Sequence, residues 1–249
     1  MKTLTKGLKP AQGFSHYLHI GLNVFLPAIL FILVRIGFYQ MAIAVVLLSK
    51  WRMFAVRPRY WVTNTVANAT DIMVGLSVVI FMSHTNSFWM QIVWATVYGV
   101  WLILIKPGTN VFLVSVQAFM AQTLTSVALF MAWEKAPTYG VVIFMWFVAY
   151  LSARHFFSSF EDKYVKLYSH YWGFFVASLV WVLNHWLLFY GEIPQLAVLI
   201  AIIGSCLGGL FYLNDVKKLT PLIKKQLIFI MMSMVLVIIA LADWGDKTI

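Results

Sequence analysis

The sequence predicts an all-α fold, a polytopic bundle of about nine transmembrane helices that forms one integral membrane domain over residues 1–249. Two observations support this prediction. First, 62% of the 249 residues are hydrophobic and only 10% are charged, with a mean hydropathy of +0.87, whereas a soluble domain carries about 25% charged residues. Second, the apolar residues form long blocks, and the basic residues lie almost entirely in alternate gaps between these blocks.

Most of the apolar blocks come close to the ~20 residues that a helix needs to cross the hydrocarbon core of a membrane. The block at 138–153 is short, but aromatic residues flank it. Tyrosine and tryptophan cluster near the block ends, as they do at membrane–water interfaces. We therefore predict spans at 64–83, 88–105, 110–132, 138–153, 170–190, 193–213 and 226–243.

Residues 15–49 contain two further blocks, 15–34 and 36–49, which are separated only by Arg35. One continuous helix of this length would measure about 52 Å at 1.5 Å per residue, which is too long for a single span. We therefore predict a tight hairpin with Arg35 and Gly37 at its tip. Its second arm is short, so the pair is expected to cross the membrane only in part.

The distribution of basic residues orients the predicted bundle. All but three of the 18 Lys and Arg residues lie in every second gap, the exceptions being Arg35, Lys135 and Lys247. Because positive residues mark the cytoplasmic side, we predict a multi-pass protein of the cytoplasmic (inner) membrane, with its N-terminus inside and its C-terminus outside.

The net charge of +10 lies in short loops rather than on one folded face. The predicted partners are therefore the lipid bilayer and its anionic head groups, and nucleic acid is not expected. The single cysteine, Cys206, excludes an intramolecular disulfide. The histidine spacing demands no haem or metal, and no specific catalytic motif occurs, so we predict no cofactor, no metal site and no catalytic residues.

A polar constellation follows the second basic gap. On a helix, Asn64, Asn68 and Asp71 share one face at spacing i, i+4, i+7, and Gly75 extends that face so that another backbone can come close. An ionisable side chain inside a membrane span is by default a functional hypothesis. We predict a cytoplasm-facing pocket in which arginines hold a phosphate or carboxylate; its candidate residues are Arg52, Arg57, Arg59, Asn64, Asn68 and Asp71. The alternative is a buried ion pair in which Arg57 or Arg59 neutralises Asp71 and the asparagines bond to neighbouring helices.

A second candidate is a polar stripe in the block 110–132. Ser115, Gln122 and Ser126 share one helix face at spacing i, i+7, i+11. Such a stripe either lines a substrate path or joins helices through hydrogen bonds, and helix packing is the ordinary use of such residues.

Two further patterns concern packing. Gly204 and Gly208 are four residues apart, which allows close helix contact either within this chain or in a homo-oligomer. Residues 154–169 carry aromatic side chains at helical spacing between charges, which predicts an amphipathic segment lying in the membrane interface.

These patterns favour a non-enzymatic membrane protein that binds or transports a small anionic or lipid-like substrate through the inner-facing pocket. One alternative is an intramembrane enzyme that modifies a lipid phosphate, with a base or metal at Asp71, Glu161 or Asp162. The other alternative is a structural or assembly subunit of a membrane complex, which the scarcity of ionisable residues also suits.

Overall fold

A computed structural model describes residues 14–50, 57–133, 136–160, 163–185, 189–190 and 193–242. Over these residues the fold is helical apart from one small antiparallel hairpin of β1 (Phe189–Tyr190) and β2 (Ile193–Pro194). The predicted all-α class is therefore confirmed. The helices are α1 (Phe14–Arg35), α2 (Tyr39–Leu48), α3 (Trp61–His84), α4 (Phe88–Val100), α5 (Val111–Ala132), α6 (Thr138–Phe157), α7 (Val165–Leu183), α8 (Gln195–Asp215) and α9 (Pro221–Leu241).

Six helices in the described part of the chain are long and apolar enough to cross a membrane. They are α3, α5, α6, α8, α9, and α4 together with a π-helical turn over Trp101–Ile105 that extends it. Large apolar side chains also cover the outer surface, and Trp89 and Phe229 are more than 70% exposed. An apolar surface of this extent is typical of a protein that lies in a membrane. The structure supports a multi-pass membrane protein, while the count of nine spans and the orientation stay predictions.

The break predicted between the first two apolar blocks is confirmed. α1 ends in a Schellman motif, in which Phe38 N–H donates to Leu33 O at 2.9 Å and Gly37 N–H donates to Val34 O at 3.0 Å. Gly37 has a φ of +83°, a left-handed conformation that glycine adopts without a steric penalty. α2 has only 10 residues, about 15 Å of rise, so the second arm is too short to cross the hydrocarbon core alone.

α5 lies between two hydrophobic clusters. The first contains residues of α1, α2, α3 and α4, among them Val46 and Val78, and Ala121 of α5 packs against them. The second joins α6, α7 and α8 and includes Val176, with Phe130 of α5 packed among its residues. α5 therefore has one face in each half of the bundle.

Two helices differ more than the others from the predicted blocks. The span predicted at 170–190 is α7, which begins earlier and ends at Leu183, before the small hairpin. The span predicted at 226–243 begins at Pro221, because the Thr220 hydroxyl accepts a hydrogen bond of 3.2 Å from Ile223 N–H and proline suits the first helical turn.

The predicted amphipathic segment at 154–169 is divided between the end of α6 and the start of α7. α6 continues to Phe157, and α7 begins at Val165. Phe156, Phe157 and Phe160 pack around Phe211 of α8, with ring centroids 5.0–6.0 Å from that of Phe211. These three aromatic residues therefore serve packing between helices, and an interfacial position of the segment stays a prediction.

α8 and α9 are joined by a tight turn and a sulfur contact. The Cys206 thiol donates to Leu227 O at 3.2 Å across the two helices. α8 ends, like α1, in a Schellman motif, here with Lys218 N–H donating to Leu213 O at 2.9 Å. Lys217 occupies the left-handed position of this motif, with a φ of +56°.

Candidate functional site

A buried group of charges surrounds Asp71 of α3. Asp71 Oδ2 lies 3.0 Å from Lys50 Nζ and 2.8 Å from Lys106 Nζ, and Asp71 Oδ1 accepts a hydrogen bond of 3.2 Å from Trp101 Nε1. The side chains of Lys50 and Asp71 are each 8% exposed, and that of Lys106 is 28% exposed. We call Lys50, Asp71, Trp101 and Lys106 the Asp71 cluster; both of its carboxylate oxygens have partners.

Helix ends bring this cluster together. Lys50 follows the end of α2, and Lys106 follows the π-helical turn after α4, where its N–H donates to Trp101 O at 2.9 Å. A π-helical turn re-aims side chains and is frequent at functional sites; here it points both Trp101 and Lys106 at one carboxylate. Burial lowers the pKa of Lys50 to about 8, although the Asp71 charge opposes this shift.

The arginines predicted to neutralise Asp71 do not do so. Arg57 and Arg59 are exposed, and Asp71 lies about 15 Å of helical rise beyond Trp61 at the start of α3. An arginine placed before α3 cannot span that distance. Arg52 lies outside the described residues. The expectation of a buried ion pair at Asp71 is confirmed, but lysines from other helix ends form it.

Asn68, on the same predicted face of α3, bonds within its own helix. Asn68 Nδ2 donates to Asn64 O at 2.8 Å, one turn away. Gly75 allows a close approach, as predicted, but side chains rather than a backbone make it: a Cβ at this position would lie 2.8 Å from both Tyr98 Oη and Val46 Cγ1. Asp71 reaches across to Lys50 and Lys106 outside α3.

A second polar contact links the turn between α4 and α5 to α6. Gln117 Nε2 donates to Ile105 O at 2.7 Å and to Gly108 O at 3.0 Å. Gln117 Oε1 lies 2.9 Å from His155 Nε2. Because an amide oxygen can only accept, this geometry assigns a proton to Nε2 of His155. The contact fixes the backbone that follows Lys106.

Sequence reasoning missed Lys50, Trp101, Lys106, Gln117 and His155. One signal was present for the two lysines. Asp71 is the only acid in the interior of a predicted apolar block, and Lys50 and Lys106 directly follow the ends of two other blocks. A buried carboxylate requires a cationic partner at matching depth. Lysines at the ends of neighbouring blocks can provide one.

A cavity of about 900 Å³ opens among α5, α6, α7 and α8. We call it the α5–α8 cavity. No Asp, Glu, His, Lys or Arg occurs among the described residues that line it. Its wall is dominated by aromatic rings, which include Phe112, Phe119, Phe156, Trp172, Phe175 and Phe211.

The predicted polar stripe of α5 meets this cavity. Ser115 and Gln122 line it, whereas Ser126 is buried behind the wall and donates to Gln122 O at 2.7 Å. Gln122 Oε1 accepts a hydrogen bond of 2.9 Å from Trp172 Nε1 of α7. Ser115 Oγ donates to Val111 O within its own helix. The stripe thus joins helices at Gln122, and its residues Ser115 and Gln122 contribute part of the polar surface of the cavity wall.

Gly204 and Gly208 form part of the same wall, on α8. A Cβ at Gly204 would lie 3.1 Å from Trp172 Cζ2, and one at Gly208 would lie 3.8 Å from Phe156 Cζ. The glycines therefore make room beside aromatic residues of this chain. A homo-oligomer through Gly204 and Gly208 stays a prediction.

The α5–α8 cavity lies at the end of the bundle that carries the basic loops. Tyr168 in the first turn of α7 and Tyr212 in the last turn of α8 line it. Asp215, the last residue of α8, is the one acid among the described residues near these two tyrosines in sequence. The exposed lysines near them include Lys163, Lys166, Lys217 and Lys218.

Among the described residues, no group of three or more His, Cys, Asp or Glu side chains is arranged to hold a metal ion. Glu161 and Asp162, which the enzymatic alternative invokes, lie outside those residues. No family model matches the chain, and neither a curated protein nor a solved structure matches it. A function therefore has to follow from two features of this chain: a cation-rich cluster on one side of α5 and an apolar cavity on the other.

Proposed function

We propose that the protein binds a lipid-like anionic amphiphile in the α5–α8 cavity, within the cytoplasmic membrane. The cavity is the single observation that carries this proposal. Its volume of about 900 Å³ is near the upper end of the ~300–1,000 Å³ typical of small-molecule pockets. Its described wall supplies aromatic surface and no charged side chain, which suits a hydrocarbon or aromatic portion and disfavours a buried charge.

The basic loops beside the cavity support an anionic head group on the ligand. Lys166 lies one turn or less from Tyr168, and Lys217 and Lys218 follow the turn that contains Tyr212. Lysines at the membrane surface attract anionic lipids, by about 1 kcal/mol per residue. A ligand with its chain in the cavity and its head group outside would satisfy both environments.

This proposal moves the lipid-like substrate from the predicted pocket before Asp71 to the other side of α5. Asp71 is already enclosed by ion pairs, whereas the cavity is open. The uncharged lining also favours binding over catalysis, because general acid–base chemistry needs a titratable group within hydrogen-bond reach of the reacting atom.

Filling the cavity tests the proposal. Gly208→Leu places a branched side chain in the cavity without a backbone clash, because the nearest atoms lie 3.8 Å from its Cβ position. We expect the purified variant to bind a phosphatidylglycerol with a pyrene-labelled acyl chain at least tenfold more weakly than the original protein. Fluorescence titration in detergent measures this, and the same phospholipid with a choline head group should bind more weakly to the original protein.

Gly21→Leu is the matched control, since Gly21 of α1 has no atom within 4 Å of its Cβ position and lies away from the cavity. It should bind the labelled lipid as the original protein does. Unchanged lipid binding by a folded Gly208→Leu protein would contradict the proposal. Exchange of labelled lipid between leaflets of reconstituted vesicles would distinguish a transporter from a binder.

A further inference from the structure

The Asp71 cluster holds one more positive charge than negative charge. Lys50 and Lys106 both contact Asp71 Oδ2, and no other carboxylate among the described residues forms an ion pair with either lysine. Tyr98 and His155 are the other titratable side chains close enough to sense the Asp71 charge, and neither supplies a negative charge at neutral pH. The excess cation therefore has no partner within the described fold.

Such an excess is unfavourable without a counter-ion. A buried charge is costly to desolvate unless an opposite charge and hydrogen bonds compensate it. Each lysine ammonium has three N–H donors, and Asp71 Oδ2 accepts from the ammonium groups of both Lys50 and Lys106. Both lysines thus keep donors that the carboxylate does not use.

An anion can reach these donors from outside. The Lys106 side chain is 28% exposed, while those of Lys50 and Asp71 are 8% exposed. Lys106 is followed by the exposed Pro107 in the turn between α4 and α5. The cluster is therefore closed towards α3 and open at Lys106, and it lies at the same basic end of the bundle as the α5–α8 cavity.

We propose that Lys50 and Lys106 bind one phosphate group on the side of the cluster that faces away from Asp71. Phosphate offers several strong acceptor oxygens, and lysine binds it as a point charge. Asp71 holds the two ammonium groups together and repels an anion from its own side. The phosphate belongs either to a soluble ion or to a lipid head group. None of these three residues lines the α5–α8 cavity, so this site is independent of the proposed lipid site.

The test compares charge-changing variants of the full chain. Inorganic phosphate should raise the melting temperature of the original protein in detergent, in a saturable way, as followed by intrinsic tryptophan fluorescence. Lys106→Gln should weaken this phosphate dependence at least tenfold, and it should leave a neutral Lys50–Asp71 pair. Lys224→Gln removes an exposed lysine of α9 and should retain the full effect of phosphate.

A parallel titration with phosphatidic acid in nanodiscs distinguishes the two sources of phosphate. Response to inorganic phosphate alone assigns a soluble ligand, and response to phosphatidic acid alone assigns a head group. If Lys106→Gln does not fold, Lys106→Arg keeps the charge and should bind within about threefold of the original protein. The proposal is overturned if Lys106→Gln responds to phosphate as the original protein does, or if neither phosphate source binds the original protein.

Discussion

At the scale of single residues, Lys217 is held in a conformation that its side chain disfavours. Its φ of +56° lies in the left-handed region, which costs a residue with a Cβ roughly 1–2 kcal/mol. It occupies the position after α8 at which a Schellman motif usually has glycine. Gly37 holds the equivalent position after α1, with a φ of +83°, so the chain uses the same turn once with glycine and once without it.

We expect Lys217→Gly to stabilise the protein by about 0.5–1 kcal/mol. The relief of the left-handed strain exceeds the entropy that glycine adds to the unfolded chain. Thermal unfolding in detergent, followed by tryptophan fluorescence, measures the change. Lys218→Gly removes the same charge from the neighbouring position and should give no gain, so equal stabilisation by both variants would refute the conformational explanation.

At the scale of helices, α2, α3 and α4 meet at Gly75. A Cβ at Gly75 would lie 2.8 Å from Val46 Cγ1 of α2 and from Tyr98 Oη of α4. Tyr98 is fully buried, and its hydroxyl has no hydrogen-bond partner among the described residues. The close packing of these three helices therefore depends on the missing side chain of one glycine.

We expect Gly75→Ala to destabilise the protein by about 1–3 kcal/mol, the usual penalty for overpacking a buried contact. Tyr98→Phe removes one of the two close atoms together with an unsatisfied hydroxyl, so the double variant should recover part of the loss. Gly99→Ala is the control on α4, because its Cβ would meet only Pro27 Cγ at 3.8 Å. Thermal unfolding should be compared for the original protein, Gly75→Ala, the double variant and Gly99→Ala. It should show destabilisation in Gly75→Ala and near-original stability in Gly99→Ala.

At the scale of the whole molecule, the basic helix ends are brought to one side of the bundle. The Asp71 cluster includes Lys50 and Lys106, which follow the ends of α2 and of the extended α4. The α5–α8 cavity is lined by residues at the ends of α6 and α8 and at the starts of α5 and α7. This grouping agrees with the alternating basic gaps of the sequence. The two proposed sites therefore lie towards the same end of the bundle, and the positive-inside rule predicts that this end faces the cytoplasm.

Reporter fusions test this orientation. A green fluorescent protein fused after Lys218, in the turn between α8 and α9, should fluoresce because it remains in the cytoplasm. Alkaline phosphatase fused to the C-terminus should be active because it is exported. The opposite pattern at both positions would reverse the predicted topology. The two proposed ligands would then bind from the outer side of the membrane.

The fold could be predicted from sequence to the extent that local composition determines it. The apolar blocks and the break at Gly37 follow from segment length and from the conformational freedom of glycine. The partners of Asp71 could not be assigned in the same way, because Lys50 and Lys106 reach it only through the packing of α2 and α4 on α3. The sequence indicated single residues of the α5–α8 cavity, such as Gln122 on one helix and Gly204 on another. It could not predict the cavity itself, because a cavity depends on how four helices pack together.

The contact between Cys206 and Leu227 O gives the protein a built-in reporter. Cys206 is the only thiol in the 249 residues, and it lies on α8 close to Gly204 and Gly208. A spin label or fluorophore therefore attaches at one defined place without any cysteine having to be removed. Its spectrum would record separation of α9 from α8 in the original background, and its rate of alkylation would follow the same movement while ligands are added.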